Sequence, residues 1–370
     1  MNPASRCWAE ISSSALRHNF AFLRSRLPHS VRIMAVVKAD AYGHSANIVV
    51  PCLSEEADAF GVANLAEARA IAHLANERPV FILSPALPHE RETIARHRFI
   101  PFVSSLEEAR DYASFGSADV PVEIHLTIDT GMGRIGIPAH QAREVLGDIA
   151  RLPGLVITGI NSHFPSADED PAFTHEQIRR WDDLVAFAKP LFPALRTIHI
   201  ANSAGALAYP HGSCNLVRAG LALYGASPLP EFQQALRPVL NWKTRVSLVR
   251  ELPAGHGISY GSTFVTPAPM RVATLAAGYA DGYHRRLSNQ NASVIIRETR
   301  CPILGRITMD QIMADVSHLP ETVPGDEALL MGESSPALSI PASELAQKAR
   351  TIPWEIFTSI AKRTDRLATP

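Results

Sequence analysis

Long apolar runs, paired cysteines and an excess of either charge are all missing from this 370-residue sequence. No apolar stretch approaches the ~18 residues that a bilayer-spanning helix needs. The first eight residues also lack a basic segment followed by an apolar run, so a membrane partner is not expected and a cytoplasmic protein is. Lysine and arginine number 35 against 36 aspartates and glutamates, and this balance calls for neither nucleic acid nor an anionic surface as partner. The four cysteines, Cys7, Cys52, Cys214 and Cys301, form no Cys-x-x-Cys pair, which argues against a zinc site or a disulfide framework and for small buried apolar residues. No metal is called for. No P-loop lysine-serine signature occurs, and the glycine-rich string Asp129-Thr-Gly-Met-Gly-Arg134-Ile-Gly136 is weak as a generic phosphate loop.

What is present is a rhythm. Residues 12–27 start with serines and place Leu16, Phe20, Leu23 and Leu27 on one face, predicting a capped helix. From Ile33 onward, eight short apolar runs alternate with amphipathic segments; the runs lie at 33–38, 59–62, 80–83, 100–103, 122–128, 155–160, 197–201 and 216–221. Near-continuous apolar strands separated by helices require a parallel sheet covered on both faces. A doubly wound open sheet competes with a closed barrel here. The polar residues favour the barrel, because Lys38, Arg134, His163, Asn202 with Ser203, and Arg218 all lie in or just after strands, and would converge at the carboxyl-terminal face of a barrel. The predicted fold class is therefore α/β, a (β/α)8 TIM-like barrel over residues 1–232. Beyond it, extended runs with glycine and proline turns, including 239–249, 257–265, 270–278 and 303–309, predict a mostly β domain over 233–370. Helical spacing resumes at 341–350, with Ser343 as the expected cap.

Lys38 ends an apolar strand, where desolvation favours an amine that is neutralised, paired or covalently used; the plain alternative is a side chain that snorkels to water. Asn202 and Ser203 stand where a strand meets a helix, which is either an anion site or an ordinary cap. Gly220 allows close backbone approach beside them. Arg218, inside an apolar strand, requires partners, and a barrel carboxylate is the simple expectation. His163 reads locally as a satisfied core histidine.

These residues lie in strings that resemble the alanine racemase family. Lys38-Ala-Asp-Ala-Tyr42-Gly-His44 resembles its pyridoxal 5'-phosphate (PLP) lysine motif, and Asp129-Thr-Gly-Met-Gly-Arg134 its arginine loop. In the second half, Gly257-Ile-Ser-Tyr260-Gly261 resembles the segment with the catalytic tyrosine. Gly278-Tyr279-Ala-Asp-Gly282-Tyr283 resembles a substrate-side loop, and Gly305-Arg-Ile-Thr-Met309-Asp310-Gln311 the strand whose methionine N–H meets the substrate carboxylate. Likeness extends from Trp8-Ala-Glu10 to Trp354-Glu355, essentially the whole chain.

The resemblance implies a fold type III PLP enzyme that interconverts L- and D-alanine, with Lys38 and Tyr260 as the two catalytic bases. PLP would be held by Lys38, Tyr42, Arg134, His163, Asn202, Ser203, Arg218, Gly220, Leu221 and Trp354, with Arg218 facing the pyridine nitrogen and keeping it unprotonated. Arg134, Met309 and Tyr279 would hold the substrate, the last two narrowing the pocket to a methyl side chain. It also implies a head-to-tail homodimer in which Tyr260 and Met309 act on the partner's barrel. Reference pKa values of about 10.4 for lysine and 10 for tyrosine are high for a base at pH 7, so the site must lower them.

The sequence departs from the family at Thr127, where many members carry a carbamylated lysine that holds the motif arginine, and at Trp354, which replaces a phosphate-binding tyrosine. A chloride ion or ordered water is the expected support for Arg134 beside Thr127, with an inturned Asp129 as the alternative. Thr308, where cysteine is common, is a minor change. A broader amino-acid racemase, a fold type III decarboxylase, a non-catalytic PLP carrier and a PLP-free sugar-phosphate barrel are the competing readings; the decarboxylase lacks its expected Cys-x-x-x-Asp-type motif.

Overall fold

The computed structural model describes residues 5–209, 213–335 and 337–370. Ser12 caps the first helix (Ser13–Ser25) by accepting from Ala15 N at 3.2 Å, and Leu16, Phe20 and Leu23 are its buried face. Eight parallel strands then follow: Arg32–Val36, Ala59–Val62, Val80–Ile82, Ile100–Val103, Val122–Asp129, Leu155–Asn161, Thr197–His199 and Leu216–Ala219. Each pairs with the next up to the seventh, and the eighth pairs with the first. Between the seventh and eighth the backbone bonds Asn215 N to Ile198 O (2.9 Å) and Arg218 N to Ala201 O (3.0 Å) draw the sheet nearly closed. The barrel read from the alternation is what forms.

Inward-facing positions step by two, as a strand demands. Met34, Phe81, Ile100, Phe102 and Leu216 fill the apolar floor, and Lys38, Thr127, Arg218 and Gly220 lie toward the mouth. Register brings Thr127 opposite Asn161, Asn161 opposite His199, and Arg218 opposite Met34. Gly159 makes room for a buried imidazole, because a Cβ built there would stand 2.2–2.3 Å from three ring atoms of His125.

The second domain is built on one long strand, Leu240–Leu252. Its first half pairs with Cys7–Ser12 and Glu327–Ser335 and its second half with Met270–Leu275. The amino-terminal strand therefore lies in the sheet of the second domain although it precedes the barrel, and it also pairs in parallel with the last strand, Asp365–Thr369. Three local expectations are corrected. Residues 305–309 form a loop rather than a strand, because Gly305 sits at φ +66° against Ile258 O and the chain bends away. The 257–265 run is two short strands around a strained turn, with Ser259 at φ +61° and Gly261 at +73°. Ser343 is not the cap, since helix Ala342–Ala349 starts from Pro341 with no side-chain cap bond. All four cysteines are buried and free. No helix among the described residues is long and apolar enough to cross a membrane.

Gly159→Ala overpacks the barrel interior and is expected to cost about 1–3 kcal/mol in urea unfolding. Adding His125→Ala should recover part of that loss. If Gly159→Ala is as stable as the parent chain, the ring and the glycine are not in contact.

Candidate active site

Lys38 leads into a rare backbone conformation. Ala39, Asp40, Ala41 and Tyr42 all hold φ between +52° and +54°, a left-handed helical turn that Gly43 ends at +78°. Such a turn costs about 1–2 kcal/mol per L-residue, so its surroundings must hold it. Glu67 accepts from Ala39 N at 2.9 Å and from Ala63 N at 2.8 Å, and Asp40 accepts from Ala46 N at 2.7 Å. His44 donates through Nδ1 to Tyr42 O at 2.9 Å, its ring lying between those of Tyr224 and Phe357. The turn presents Lys38 and Tyr42 to a cavity of about 630 Å³ at the barrel mouth.

Ten of the thirteen residues predicted for the site line this cavity: Lys38, Tyr42, Arg134, His163, Asn202, Ser203, Arg218, Gly220, Leu221 and Trp354. Lys38 makes no side-chain hydrogen bond among the described residues, and burial, then the charges of Arg134 and Arg218, push its amine below the usual lysine range. That combination suits a nucleophilic or proton-accepting amine. Burial pushes the Tyr42 hydroxyl up to about 12, so it stays a neutral donor. A Cβ on Gly220 would stand 2.6 Å from that hydroxyl, so glycine is what admits it. Asn202 is an ordinary cap of the short helix Ser203–Ala208, accepting from Gly205 N at 3.0 Å. Ser203 Oγ accepts from Gly220 N (3.0 Å) and Ala222 N (3.4 Å), which leaves its hydroxyl hydrogen to donate.

Arg218 has no carboxylate partner among the described residues, contrary to the simple expectation. Its guanidinium donates to the carbonyls of Ser162 (2.7 Å), Ile200 (3.0 Å) and His199 (3.4 Å), to His199 Nδ1 (2.8 Å) and to His163 Nδ1 (3.0 Å). Burial pushes it down to about 10, still charged at neutral pH, while burial and this cation hold His163 and His199 well below the usual imidazole range. Because a guanidinium only donates, both Nδ1 atoms must accept and the hydrogens sit on Nε2. His199 Nε2 then donates to His125 Nδ1 at 3.0 Å, which fixes the third ring too.

Thr127 donates to Asn161 Oδ1 at 3.2 Å, and Asn161 donates to Leu126 O. Asp129 does not turn toward Arg134, because its carboxylate accepts from the N–H groups of Gly131, Met132 and Gly133 at 2.8–2.9 Å and shapes the loop. Arg134 makes no hydrogen bond or ion pair among the described residues, and is a cation presented to the cavity. Asn161 was missed in the sequence, although it lies two residues before His163 and period two marks it. His199 and His125 were missed because a histidine in an apolar strand carries no distinctive signal.

Tyr260, Tyr279 and Met309 are not in the cavity. They stand exposed on the second domain, 67%, 39% and 53% accessible. They share one surface there: Tyr279 N bonds to Thr308 O, Ala280 N to Met309 O, and Ser259 Oγ to Arg306 O.

The donors fit PLP: a free amine, an unpaired cation, a serine hydroxyl with a helix amino terminus for a phosphate, and a donor-only guanidinium for a ring nitrogen. Residues 11–228 match the family model "Alanine racemase, N-terminal domain" and 239–368 match "Alanine racemase, C-terminal domain". The alanine racemase of Methylacidiphilum infernorum is 40% identical over 360 residues, 96% of this chain and 90% of its own length. That of Geobacter sulfurreducens is 40% identical over 372, covering 97% and 96%. Among solved structures, alanine racemase from Streptomyces lavendulae, described as a D-cycloserine producer, superimposes with a TM-score of 0.89 at 33% identity, covering 99% and 97% of the two chains.

Burial also sets a pH dependence. Unfolded imidazoles titrate near 6.5, whereas burial holds His44 down at about 4 and His125 at about 3. Below pH ~6.5 the unfolded chain takes up protons that the folded chain refuses, so stability falls with pH by up to ~1.4 kcal/mol per pH unit per histidine until the folded value is reached. Urea midpoints should drop between pH 7 and 5, and His44→Asn should flatten that slope; an unaltered slope would show that His44 takes up its proton as readily in the fold as in the unfolded chain.

Proposed function

The chain belongs to the alanine racemase family and racemises alanine, and we propose that it does so with two bases, Lys38 in its own cavity and Tyr260 supplied by a second copy of the chain. One observation carries this reading. The chain keeps its unpaired amine at the barrel mouth yet holds Tyr260, Tyr279 and Met309 outward on the other domain, so a single copy offers only one of the two proton-transferring groups to its cavity.

PLP, when bound, supplies electron withdrawal that makes the α-proton of the amino acid removable near neutral pH. The chain's residues do the rest. Ser203, the free N–H groups at the start of its helix, Leu221 N–H and Tyr42 hold the phosphate, and the Trp354 indole adds at most one donor. Arg218, able only to donate and flanked by neutral imidazoles, leaves the pyridine nitrogen without an acid to protonate it. Arg134, with the N–H of the partner copy's methionine loop, binds the substrate carboxylate. Lys38 Nζ, its pKa lowered by burial, takes or returns a proton on one face, and the Tyr260 hydroxyl does so on the other. His163, locked with its hydrogen on Nε2, supports the tyrosine oxygen. Tyr279 and Met309 close over a methyl group and disfavour longer side chains. A cytoplasmic enzyme supplying D-alanine for peptidoglycan precursors is the role we propose.

Lys38→Ala should keep its fold and lose about 10³-fold or more in turnover. Wild-type-like racemisation without added amine would remove the central claim. Tyr260→Phe should change the isotope effects of α-deuterated L- and D-alanine unequally; equal responses with nearly full activity would make Tyr260 a packing residue. Mixing Lys38→Ala with Tyr260→Phe chains should raise activity well above that of either alone through one intact site per mixed dimer, and no recovery despite proven subunit exchange would refute action between chains.

A further inference from the structure

Two turns with separate duties end on the same stretch of backbone. Gly43, closing the Lys38 turn, lies where an added Cβ would be 2.3 Å from Phe357 O. Gly282, closing the Tyr279 turn at φ +105°, lies where one would be 2.2 Å from Ser359 O. Just beyond, two arginines three residues apart reach in opposite senses. Arg366 donates to Gly43 O (3.1 Å), and to Ile360 O (2.7 Å) and Ala361 O (2.6 Å) of its own segment. Arg363 grips Asp281 with two bonds of 2.7 and 2.8 Å and reaches Asp310 at 2.7 Å. Asp281, itself buried, accepts from Gly278 N at 2.8 Å, and its carbonyl accepts from Ala361 N at 2.9 Å. A planar fork that bonds two carboxylates at once fixes their relative positions more firmly than a point charge would.

We propose that the segment from Phe357 to Arg366 is a common anchor for two half-sites, with Arg366 positioning the Lys38 turn of the chain's own barrel and Arg363 positioning the Tyr279–Met309 surface that the chain lends to its partner. The proposal rests on the shared-site reading above. Neither arginine lines the cavity, so both are positioning residues. The left-handed turn has reason to need such a hold, since its conformation is disfavoured at four successive residues. The loop at 305–310 has no ladder of its own around Met309; Ser259 and Ser288 hold Arg306 and Ile307, while Met309 and Asp310 are held by the 278–282 turn and by Arg363.

Mixed dimers separate the two duties. Arg366→Ala alone should lower kcat about tenfold and reduce the amount of PLP fixed on Lys38 by borohydride, read by peptide mass spectrometry. Arg363→Ala alone should raise the KM for alanine about tenfold with Lys38 labelling unchanged. After subunit exchange, Arg363→Ala should be rescued by Lys38→Ala chains and not by Tyr260→Phe chains; Arg366→Ala should show the reverse pattern. Rescue of either variant by both partners, or the same pattern for the two, overturns the anchor. The Lys38→Ala with Tyr260→Phe mixture is the control: its failure would refute the shared site, whereas its success with unsorted arginines refutes only this proposal. Should an alanine variant fail to fold, Arg366→Lys, which keeps the charge, and Asp281→Asn, which keeps the side-chain shape, must sort as Arg366→Ala and Arg363→Ala respectively.

Discussion

Everything in this site depends on keeping four consecutive L-residues in a left-handed turn. At about 1–2 kcal/mol each, Ala39 to Tyr42 carry on the order of 4–8 kcal/mol of backbone strain that must be offset by contacts outside the turn. Those contacts come from both domains: Glu67 from the barrel, and Phe357 and Arg366 from the second domain. The turn brings the lysine amine and the Tyr42 hydroxyl to one cavity at the barrel mouth, where a strand running straight on would carry Tyr42 roughly 13 Å further along the same face. The reactive geometry is therefore a property of the domain junction and not of the first strand alone.

Arg218 poses the second constraint, a buried cation without a carboxylate. Three carbonyls and two neutral imidazoles offset its desolvation instead, and the requirement that every partner accept fixes three histidine tautomers in series from His163 and His199 to His125. Positive charge thus reaches the cavity uncancelled. It adds to Arg134 in favouring a neutral Lys38 and an anionic ligand. An ion pair in that place would have removed both effects.

Several groups around the cavity serve the shape of the site. Asp129 spends its carboxylate on three backbone N–H groups of its own loop, which leaves Arg134 projecting unpaired. Thr127 bonds Asn161 across the fifth and sixth strands, so its side chain is knitted into the barrel wall. Trp354 and Phe357 lie on one short helix, Pro353–Ser359, the former facing the cavity and the latter packing on His44, so a single element of the second domain serves both the pocket and the lysine turn.

The sequence by itself determined the barrel and most of its mouth. Alternation of apolar strand and amphipathic helix is local information, and eight such units have few ways to bury both faces of a parallel sheet. Period two within strands then puts Lys38, Arg218 and Gly220 on the inner wall, and strand-end positions bring Arg134, His163, Asn202 and Ser203 to the same cavity, whereas Tyr42, Leu221 and Trp354 were expected there only from the family resemblance. Tertiary structure alone decided what depends on partners distant in the chain. No local pattern could say that Cys7–Ser12 would pair with residues 240–244 and the final strand, because strand pairing is settled by which edge is left open. Nor could it give the left-handed turn, which its own residues disfavour and which contacts with Glu67, Phe357 and Arg366 help to make tenable, or carbonyl and imidazole partners for Arg218 in place of a carboxylate. In each case the energy that selects the conformation comes from contacts far apart in sequence, and a pattern read within one segment does not contain them.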